Sequence, residues 1–319
     1  MDRFKKLGKI GQGAHGTVIK CERKKVVLST ISFQNELENS KKEIVAIKKM
    51  KFSYLSNEQG LASQVIRELM YVQELRHENI VRLYEVFPHH KSLNLVFEYV
   101  PFNLEEIIHR ERFSFSDANV KSFCKMLLSA IAHCHSKWVL HRDIKPSNCL
   151  VSCSGVLKVA DFGLAKQFGN LEQALSPEAC TLWYRAPELL FGSRLYGEAM
   201  DLWAVGCVFG EMLSRKVLFP GDRTVISQLS AIFAIRGSPD EGKWPGVTTL
   251  PNYFEFEKTA EVDLRTIFPL VGEEALDLLN KMLCLDPNRR ITAEDALKHE
   301  YFERNPKEQK MKFGEKDEI

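Results

Sequence analysis

The chain carries, at residues 141–148, the sequence His141-Arg142-Asp143-Ile144-Lys145-Pro146-Ser147-Asn148, and this is its most informative stretch. It places a carboxylate, an ammonium and a carboxamide in one short loop. Transfer of a phosphoryl group to a hydroxyl needs these three groups. Asp143 can accept the proton of the hydroxyl, Lys145 can neutralise charge on the phosphoryl group, and Asn148 can ligate magnesium. Taken alone, the same residues would also suit a polar surface turn.

Four further motifs flank this stretch. They are Gly11-Gln12-Gly13-Ala14-His15-Gly16-Thr17-Val18, Val45-Ala46-Ile47-Lys48, Asp161-Phe162-Gly163 and Ala186-Pro187-Glu188. Their order along the chain resembles that of the protein kinase family, and the resemblance covers nearly the full chain. It implies an α+β, bilobal fold with a small β-rich N-lobe and a larger α-helical C-lobe. It also implies ATP and Mg²⁺ as cofactors and proteins as substrates.

Composition excludes several classes of function. The 319 residues, 45% of them hydrophobic, can bury a sizeable core. Lys+Arg 44 against Asp+Glu 42 gives a net charge of +2, so bulk charge does not suggest a nucleic-acid partner. The eight cysteines show no CxxC pair or zinc spacing, and we expect reduced thiols in the cytoplasm or nucleus. We expect no membrane span and no signal peptide.

Hydrophobic periodicity predicts strands early in the chain and helices late. We expect an N-lobe over 1–100 with a long exposed loop over 21–43, a C-lobe over 101–302, and a charged, disordered tail over 303–319. The expected strands are two between 4 and 20, then 44–50, 80–87 and 93–98; the expected helices are 61–76, 117–137, 201–214, 224–236 and 273–284.

The glycine-rich motif predicts a loop that binds phosphate. Gly11, Gly13 and Gly16 would let the backbone close over phosphates where a side chain would collide. The pattern is weak by itself, because dinucleotide-binding folds and plain hairpins also contain it. Here it lies between two predicted strands rather than before a helix, which disfavours the dinucleotide fold. The resemblance places Lys48 against the phosphates and in an ion pair with Glu68.

The resemblance also names residues that would hold adenine. Phe97 takes the gatekeeper position, and Glu98 to Val100 would offer backbone donors and acceptors. The aliphatic side chains that would sandwich the ring are Ile10, Val18, Ala46 and Leu150. Each of them could equally be an ordinary core residue, and only their joint register with the motifs favours nucleotide binding.

The same resemblance assigns the remaining site residues. Asp161 would bind magnesium together with Asn148. Lys145 stands two residues after Asp143, as in serine/threonine kinases, and the hydroxyl of Thr181 would bridge Asp143 and Lys145. The residues that would support this site without taking part in the chemistry are His141, Asp201, Glu188 and Arg290.

Several segments resemble the cyclin-dependent kinase family, namely 182–190, Arg67-Glu68 and the long segment between 236 and 268. Two branches are most similar: the cell-cycle-related kinase, a ciliary regulator in animals, and the cyclin-dependent-kinase-activating kinase. The sequence leaves both open. The likeness implies serine or threonine followed by proline as the acceptor. It also allows a cyclin or another activating subunit on helix 61–76, and the cilium as a location.

Activation is expected to run through Ser176. A phosphate there would draw together three cations, Arg67, Arg142 and Lys166, and so order the segment around it. The alternative is that Ser176 is a plain loop serine and that neighbouring glutamates supply the negative charge.

A pseudokinase that serves only as a binding scaffold is the main alternative function. Pseudokinases typically lose at least one of the central residues. This chain retains all of them: Lys48, Glu68, Asp143, Lys145, Asn148 and Asp161.

Overall fold

The computed structural model describes residues 3–13, 16–24, 43–51, 63–90, 92–110, 113, 115–168 and 182–313. The chain divides into two compact units. The smaller unit comprises Met1–Arg76 and Val81–Val100, and the larger comprises His77–Ile80 and Pro101–Ile319. The chain leaves the smaller unit for the last time between Val100 and Pro101.

The smaller unit contains a five-stranded antiparallel sheet in the order β1-β2-β3-β5-β4. Its elements are β1 Phe4–Gly13, β2 Gly16–Arg23, β3 Glu43–Lys51, helix α1 Ser63–Glu74, β4 Leu83–His89 and β5 Ser92–Glu98. The predicted strands all occur. Strand β2 pairs with β3 as far as Arg23, so the predicted loop over 21–43 begins later than expected. Residues 25–42 lie outside the described residues.

Strand alternation divides the side chains of this sheet between two faces. The residues buried together on one face are Phe4, Ile19, Cys21, Val45, Ile47 and Val96. On the other face Met50 and Leu95 are buried, with Leu69 of α1 packed against them. Helix α1 therefore covers the face that carries the even-numbered residues of β3, and Lys48 is one of these.

The larger unit is mostly helical. Its helices are α2 Leu104–His109, α3 Asp117–Ser136, α4 Pro187–Leu190, α5 Ala199–Ser214, α6 Val225–Arg236, α7 Leu264–Ile267, α8 Glu273–Met282 and α9 Ala293–Leu297. Its strands are β6 Phe102–Asn103, β7 Val139–Leu140, β8 Cys149–Val151, β9 Leu157–Val159 and β10 Lys166–Gln167. Of the helices that the structure describes, none is long and apolar enough to cross a membrane.

Helices α3 and α5 form the centre of the larger unit. Helix α3 begins at a capping box in which Ser116 and Asn119 each bind the backbone N–H of the other. Helix α5 is buried from Met200 to Met212, and the ring of Trp203 stacks on Phe219 at 5.5 Å between centroids. A helix that is apolar around its circumference belongs in a core. The polar residues on this helix are therefore held in fixed positions.

The prediction of a disordered tail over 303–319 is wrong as far as Phe313. Met311 is buried, and the ring of Phe313 stacks on Phe102 at 4.3 Å between centroids. The charged composition of the segment suggested disorder, but these two apolar side chains anchor it to the larger unit. Residues 314–319 lie outside the described residues.

Candidate active site

The carboxylate of Asp201, on α5, holds the start of the stretch 141–148. It accepts the backbone N–H groups of His141 and Arg142, each at 2.9 Å, and Nε2 of His135 at 3.0 Å. Burial by itself raises the pKa of Asp201, but the hydrogen bond and charge of His135, with the bond from Arg142, outweigh it and keep that pKa below its ordinary value. An ionised Asp201 therefore fixes this backbone, including Arg142, whose φ of 70° lies in the left-handed region.

His141 is engaged through both ring nitrogens. Its Nε2 donates to the carbonyl oxygen of Ala160 at 3.1 Å, and its Nδ1 accepts the backbone N–H of Asp143 at 3.2 Å. Its ring packs edge-on against Phe162, with 4.8 Å between centroids. This single tautomer satisfies both bonds, so the structure gives His141 a positioning role between the loop and the segment that contains Asp161.

The carboxylate of Asp143 is oriented by two neighbours in its own loop. Nζ of Lys145 and Nδ2 of Asn148 both lie 2.8 Å from its Oδ2, and Nδ2 of Asn148 also donates to the Asp143 carbonyl oxygen at 2.8 Å. Asp143 is 8% exposed. Because both side-chain donors use Oδ2, the second oxygen, Oδ1, is the one offered to an incoming hydroxyl. The geometry thus suits a general base held in one orientation.

The two predicted magnesium ligands come from neighbouring positions at one end of a hairpin. Strand β8 begins directly after Asn148, and Asp161 follows β9 with one residue between. Strands β8 and β9 pair antiparallel, with Cys149 opposite Val159, and the N–H of Ala160 donates to the Asn148 carbonyl at 2.9 Å. The hydrogen bonds of the Asn148 carboxamide run through Nδ2, so its oxygen is the atom offered to a cation.

A buried ion pair anchors the segment that begins at 182. Arg290 binds Glu188 in bidentate fashion, at 2.7 and 2.9 Å, and their side chains are 0% and 4% exposed. The guanidinium also donates to three backbone carbonyls, those of Cys284, Ala199 and Leu285. Every donor direction of the guanidinium is thereby used, which fixes α4 against the helices that follow it.

The predicted regulatory residues are described only in part. Ser176 and Thr181 lie outside the described residues. Lys166 lies in β10, paired with Leu140, and Arg142 is buried with its guanidinium 5.8 Å from the centroid of the Tyr196 ring. Arg67 and Glu68 lie on α1, as predicted from helical spacing.

Four of the predicted nucleotide residues in the smaller unit, Val18, Ala46, Lys48 and Phe97, share one face of its sheet. Val18 pairs with Lys48, and Ala46 pairs with Phe97. Directly opposed residues, and alternate residues of one strand, lie on the same face. Lys48 is 8% exposed although it is charged. Among the other predicted residues, Ile10 is exposed in β1, Val100 is buried, and Leu150 lies in β8 of the larger unit. Glu98 pairs with Val45 and therefore lies on the opposite face from Ala46.

The backbone N–H of Glu98 is already hydrogen-bonded within the smaller unit. The backbone N–H of Glu98 donates to the carbonyl oxygen of Arg82 at 2.9 Å, and the Glu98 carboxylate accepts the N–H of Arg82 at 2.7 Å. The Glu98 N–H is therefore used by Arg82, directly before β4, and the prediction that Glu98 to Val100 contact adenine concerns the other backbone groups of this segment. The donor for adenine in this segment has to come from a residue after Glu98, such as Val100.

Gly11 and Gly16 of the glycine-rich loop differ in how closely the rest of the protein approaches them. A Cβ at Gly16, whose φ is 145°, would lie 2.3 Å from the carbonyl oxygen of Lys49. A Cβ at Gly11 would meet only Val18, at an ordinary 3.7 Å. Packing within the protein thus requires glycine at 16 but not at 11. Because packing does not explain the glycine at position 11, the prediction that a ligand approaches the backbone there is supported.

We expect alanine to lower the stability of the fold at position 16 and to weaken ATP binding at position 11. Gly16→Ala should lower the free energy of unfolding by about 1–3 kcal/mol, because its Cβ forces β2 away from β3. Gly11→Ala should change that free energy by less than about 0.5 kcal/mol and raise the KM for ATP. Denaturant unfolding and steady-state kinetics on both variants check this, and a normal KM in Gly11→Ala would remove Gly11 from the nucleotide site.

Sequence reasoning missed a cluster behind the segment 182–188, in which Tyr184 and Glu211 are buried and His109 is exposed. The Tyr184 hydroxyl and Nε2 of His109 each lie 2.8 Å from a carboxylate oxygen of Glu211. Burial raises the pKa of Glu211, and burial together with the charge of Glu211 raises the pKa of Tyr184. The three residues are far apart in sequence and form no local motif, so no sequence signal pointed to them.

Comparison with known proteins gives consistent matches. A family model described as protein kinase domain matches residues 4–302. The chain is 41% identical to cyclin-dependent kinase 7 of Dictyostelium discoideum over 304 residues, covering 95% of this chain and 80% of that one. It is 41% identical to cyclin-dependent kinase D-1 of Arabidopsis thaliana over 305 residues, covering 96% and 72%.

A solved structure is also similar. It is the CAK complex from Chaetomium thermophilum bound to ATP-gamma-S, with 37% identity, a TM-score of 0.84, and coverage of 96% of this chain and 93% of that one. The predicted resemblance and the predicted fold are thereby confirmed. The chain belongs to the cyclin-dependent kinase family of serine/threonine protein kinases.

Proposed function

We propose that this chain transfers the γ-phosphoryl group of MgATP to serine or threonine residues that precede proline in other proteins. The observation that carries the proposal is the orientation of Asp143, with Lys145 and Asn148 each 2.8 Å from one oxygen of its carboxylate. The other oxygen is then directed at the acceptor hydroxyl. The ammonium of Lys145 lies beside it, where charge on the transferred group develops.

The donor set fits magnesium with a nucleotide. Asn148 and Asp161 supply oxygen ligands at one end of the β8–β9 hairpin. Among the described residues no group of three or more His, Cys, Asp or Glu could hold a metal ion. Magnesium is commonly bound by one or two carboxylates plus phosphate oxygens, so a two-residue set suits MgATP better than free metal. When bound, magnesium neutralises charge on the phosphates.

The similar solved structure is bound to ATP-gamma-S, and on that basis we take ATP as the nucleotide of this chain. In this chain Lys48 would bind the phosphates, with Glu68 as its partner. Gly11 would allow the backbone to approach them, since protein packing does not require glycine there. Asp143 then deprotonates the acceptor as the phosphoryl group leaves ADP.

A partner subunit is part of the proposal. The similar solved structure is of a CAK complex, and the curated relatives are named cyclin-dependent kinases. We place a cyclin or another activating subunit against α1, where Met70 presents a 53% exposed apolar side chain. Phosphate on Ser176, with Arg67, Arg142 and Lys166 around it, would complete activation. An intracellular location is proposed with it.

Acceptor choice tests the proposed function. Four peptides that differ only at the acceptor and the next residue, Ser-Pro, Thr-Pro, Tyr-Pro and Ser-Ala, would be incubated with γ-labelled ATP and the chain, purified from its own cells with its accompanying subunits. We expect label on Ser-Pro and Thr-Pro, loss of label with EDTA, and a kcat/KM at least about tenfold lower for Ser-Ala, or ~1.4 kcal/mol. The reason is that proline lacks the N–H that other kinases bind.

The outcomes separate the rival functions. Equal use of Ser-Ala and Ser-Pro would remove the proline requirement while leaving the kinase. Label on none of the four peptides, from protein that binds MgATP, would favour the pseudokinase scaffold.

A further inference from the structure

The three-stranded ribbon of the larger unit, in the order β6-β8-β9, positions several proposed ligand residues. Asn148 directly precedes β8, Leu150 lies within it, and Asp161 follows β9 after one residue. The strands have only two or three residues each. So short a ladder has few hydrogen bonds, and its order depends on what packs against it.

The tail segment 303–313 is tied to α3 before it reaches this ribbon. The ammonium of Lys121 donates to the Arg304 carbonyl oxygen at 2.8 Å, and Lys125 binds the Glu308 carboxylate at 2.7 Å. The N–H of Gln309 donates to the carbonyl of Ala118 at 3.1 Å, and the Asn119 carboxamide donates to the Gln309 carbonyl at 2.9 Å. Four bonds to α3, three of which use the backbone of the tail, therefore hold the tail along this path.

Beyond α3 the tail contacts the ribbon at two places. At the turn between β8 and β9, the backbone of Met311 lies so close that a Cβ on Gly155 would be 2.1 Å from its carbonyl oxygen. At β6, the ring of Phe313 stacks on Phe102 with 4.3 Å between centroids and an interplanar angle of 20°. Phe113 meets Phe313 edge-on at 5.7 Å. The tail thus packs against both the turn between β8 and β9 and the edge strand β6.

The contact with Phe102 lies away from the proposed nucleotide side of the ribbon. Phe102 pairs with Val151, and both are buried. Leu150 pairs with Asn103 and therefore faces the opposite side, where it is partly exposed. Phe313 therefore packs on the face of the ribbon opposite Leu150, and Leu150 remains accessible to a ligand.

We propose that Phe313 is a positioning residue for nucleotide binding, which acts by holding the β6-β8-β9 ribbon in register. It touches neither substrate nor metal. Its ring fixes Phe102, Met311 covers the turn at Gly155, and the ribbon so held sets Leu150, Asn148 and Asp161. The inference rests on the proposed function, because those three residues matter only if MgATP binds there.

The test is calorimetric binding of ADP, with and without Mg²⁺, to the full-length chain. Phe313→Ala should raise the Kd for MgADP by about three- to tenfold, the range that the loss of an aromatic pair corresponds to. The Kd for metal-free ADP should rise less, because Asn148 and Asp161 act through the metal. Phe313→Tyr should bind like the wild-type chain, since the half-buried ring keeps its stack. Lys312→Ala, exposed in the same tail, should also be unchanged.

Saturating kinetics give a second readout, in which Phe313→Ala should raise the KM for ATP with kcat nearly unchanged. If Phe313→Ala does not fold, Phe313→Leu takes its place under the same criteria. If the wild-type chain binds MgADP and Phe313→Ala binds it equally well, this inference alone is overturned. Equal weakening of MgADP binding in Lys312→Ala also overturns it. A wild-type chain that binds no MgADP overturns the proposed function as well.

Discussion

The Asp143→Asn variant should bind MgATP as the wild-type chain does and transfer its phosphoryl group about 10²–10⁴-fold more slowly. A carboxamide has the shape of the carboxylate but cannot accept the proton of the acceptor. Its oxygen can still accept from Lys145 and Asn148, which lie 2.8 Å from Oδ2, so its amino group then faces the acceptor hydroxyl, where it cannot act as a base. ATP contacts are expected elsewhere, so the loss should fall on kcat.

Rapid-quench kinetics at saturating ATP, with calorimetry for binding, measure this effect. Glu257→Gln is a matched control, because it also removes one carboxylate, from an exposed position in the larger unit. It should leave kcat unchanged. A kcat for Asp143→Asn close to that of Glu257→Gln would show that the loop 141–148 is not the catalytic loop.

Arg290→Met should lower the free energy of unfolding by about 3–5 kcal/mol, because it leaves the buried carboxylate of Glu188 without its cation. The side chains of the pair are 0% and 4% exposed, so water cannot replace the lost partner. The double variant Glu188→Leu/Arg290→Met should recover part of the loss, since it removes the stranded charge. It should not recover all of it, because the carbonyls of Cys284, Ala199 and Leu285 also lose their donor.

Urea denaturation followed by circular dichroism checks this prediction. The matched control is Arg304→Met, which breaks an ion pair with Glu274 whose side chains are 63% and 29% exposed. An exposed pair of that kind contributes about 0–1 kcal/mol. Equal losses in Arg290→Met and Arg304→Met would show that burial of the Glu188 pair does not make it structurally important.

The sequence predicted the elements whose pattern is local. Periodicity predicted α3, α6 and α8 because their buried faces recur every three or four residues, and motif spacing predicted the loop 141–148. Helix α5 was also predicted, although it is buried around its whole circumference. The α+β, bilobal fold followed from the family resemblance. Lys145 and Asn148 could be predicted as neighbours of Asp143 because they lie within the same short loop.

Other features depend on partners that sequence patterns do not reveal. The tail was predicted to be disordered because its composition is charged, yet Met311 and Phe313 find apolar positions on the larger unit. The backbone N–H of Glu98 donates to the carbonyl oxygen of Arg82, directly before β4, a contact that no sequence pattern indicated. Tyr184 finds Glu211, a contact between residues that share no motif. In each case the contact joins segments whose proximity only the fold determines.

The central claim is that this chain is an active protein kinase whose chemistry depends on Asp143. The most direct measurement is transfer of label from γ-labelled ATP to a Ser-Pro peptide by protein purified from its own cells with its accompanying subunits. Wild-type and Asp143→Asn proteins would be compared at equal MgATP occupancy. We predict label on the serine hydroxyl with the wild-type chain and background with Asp143→Asn. Equal label from both proteins, or none from a wild-type chain saturated with MgATP, would contradict the account.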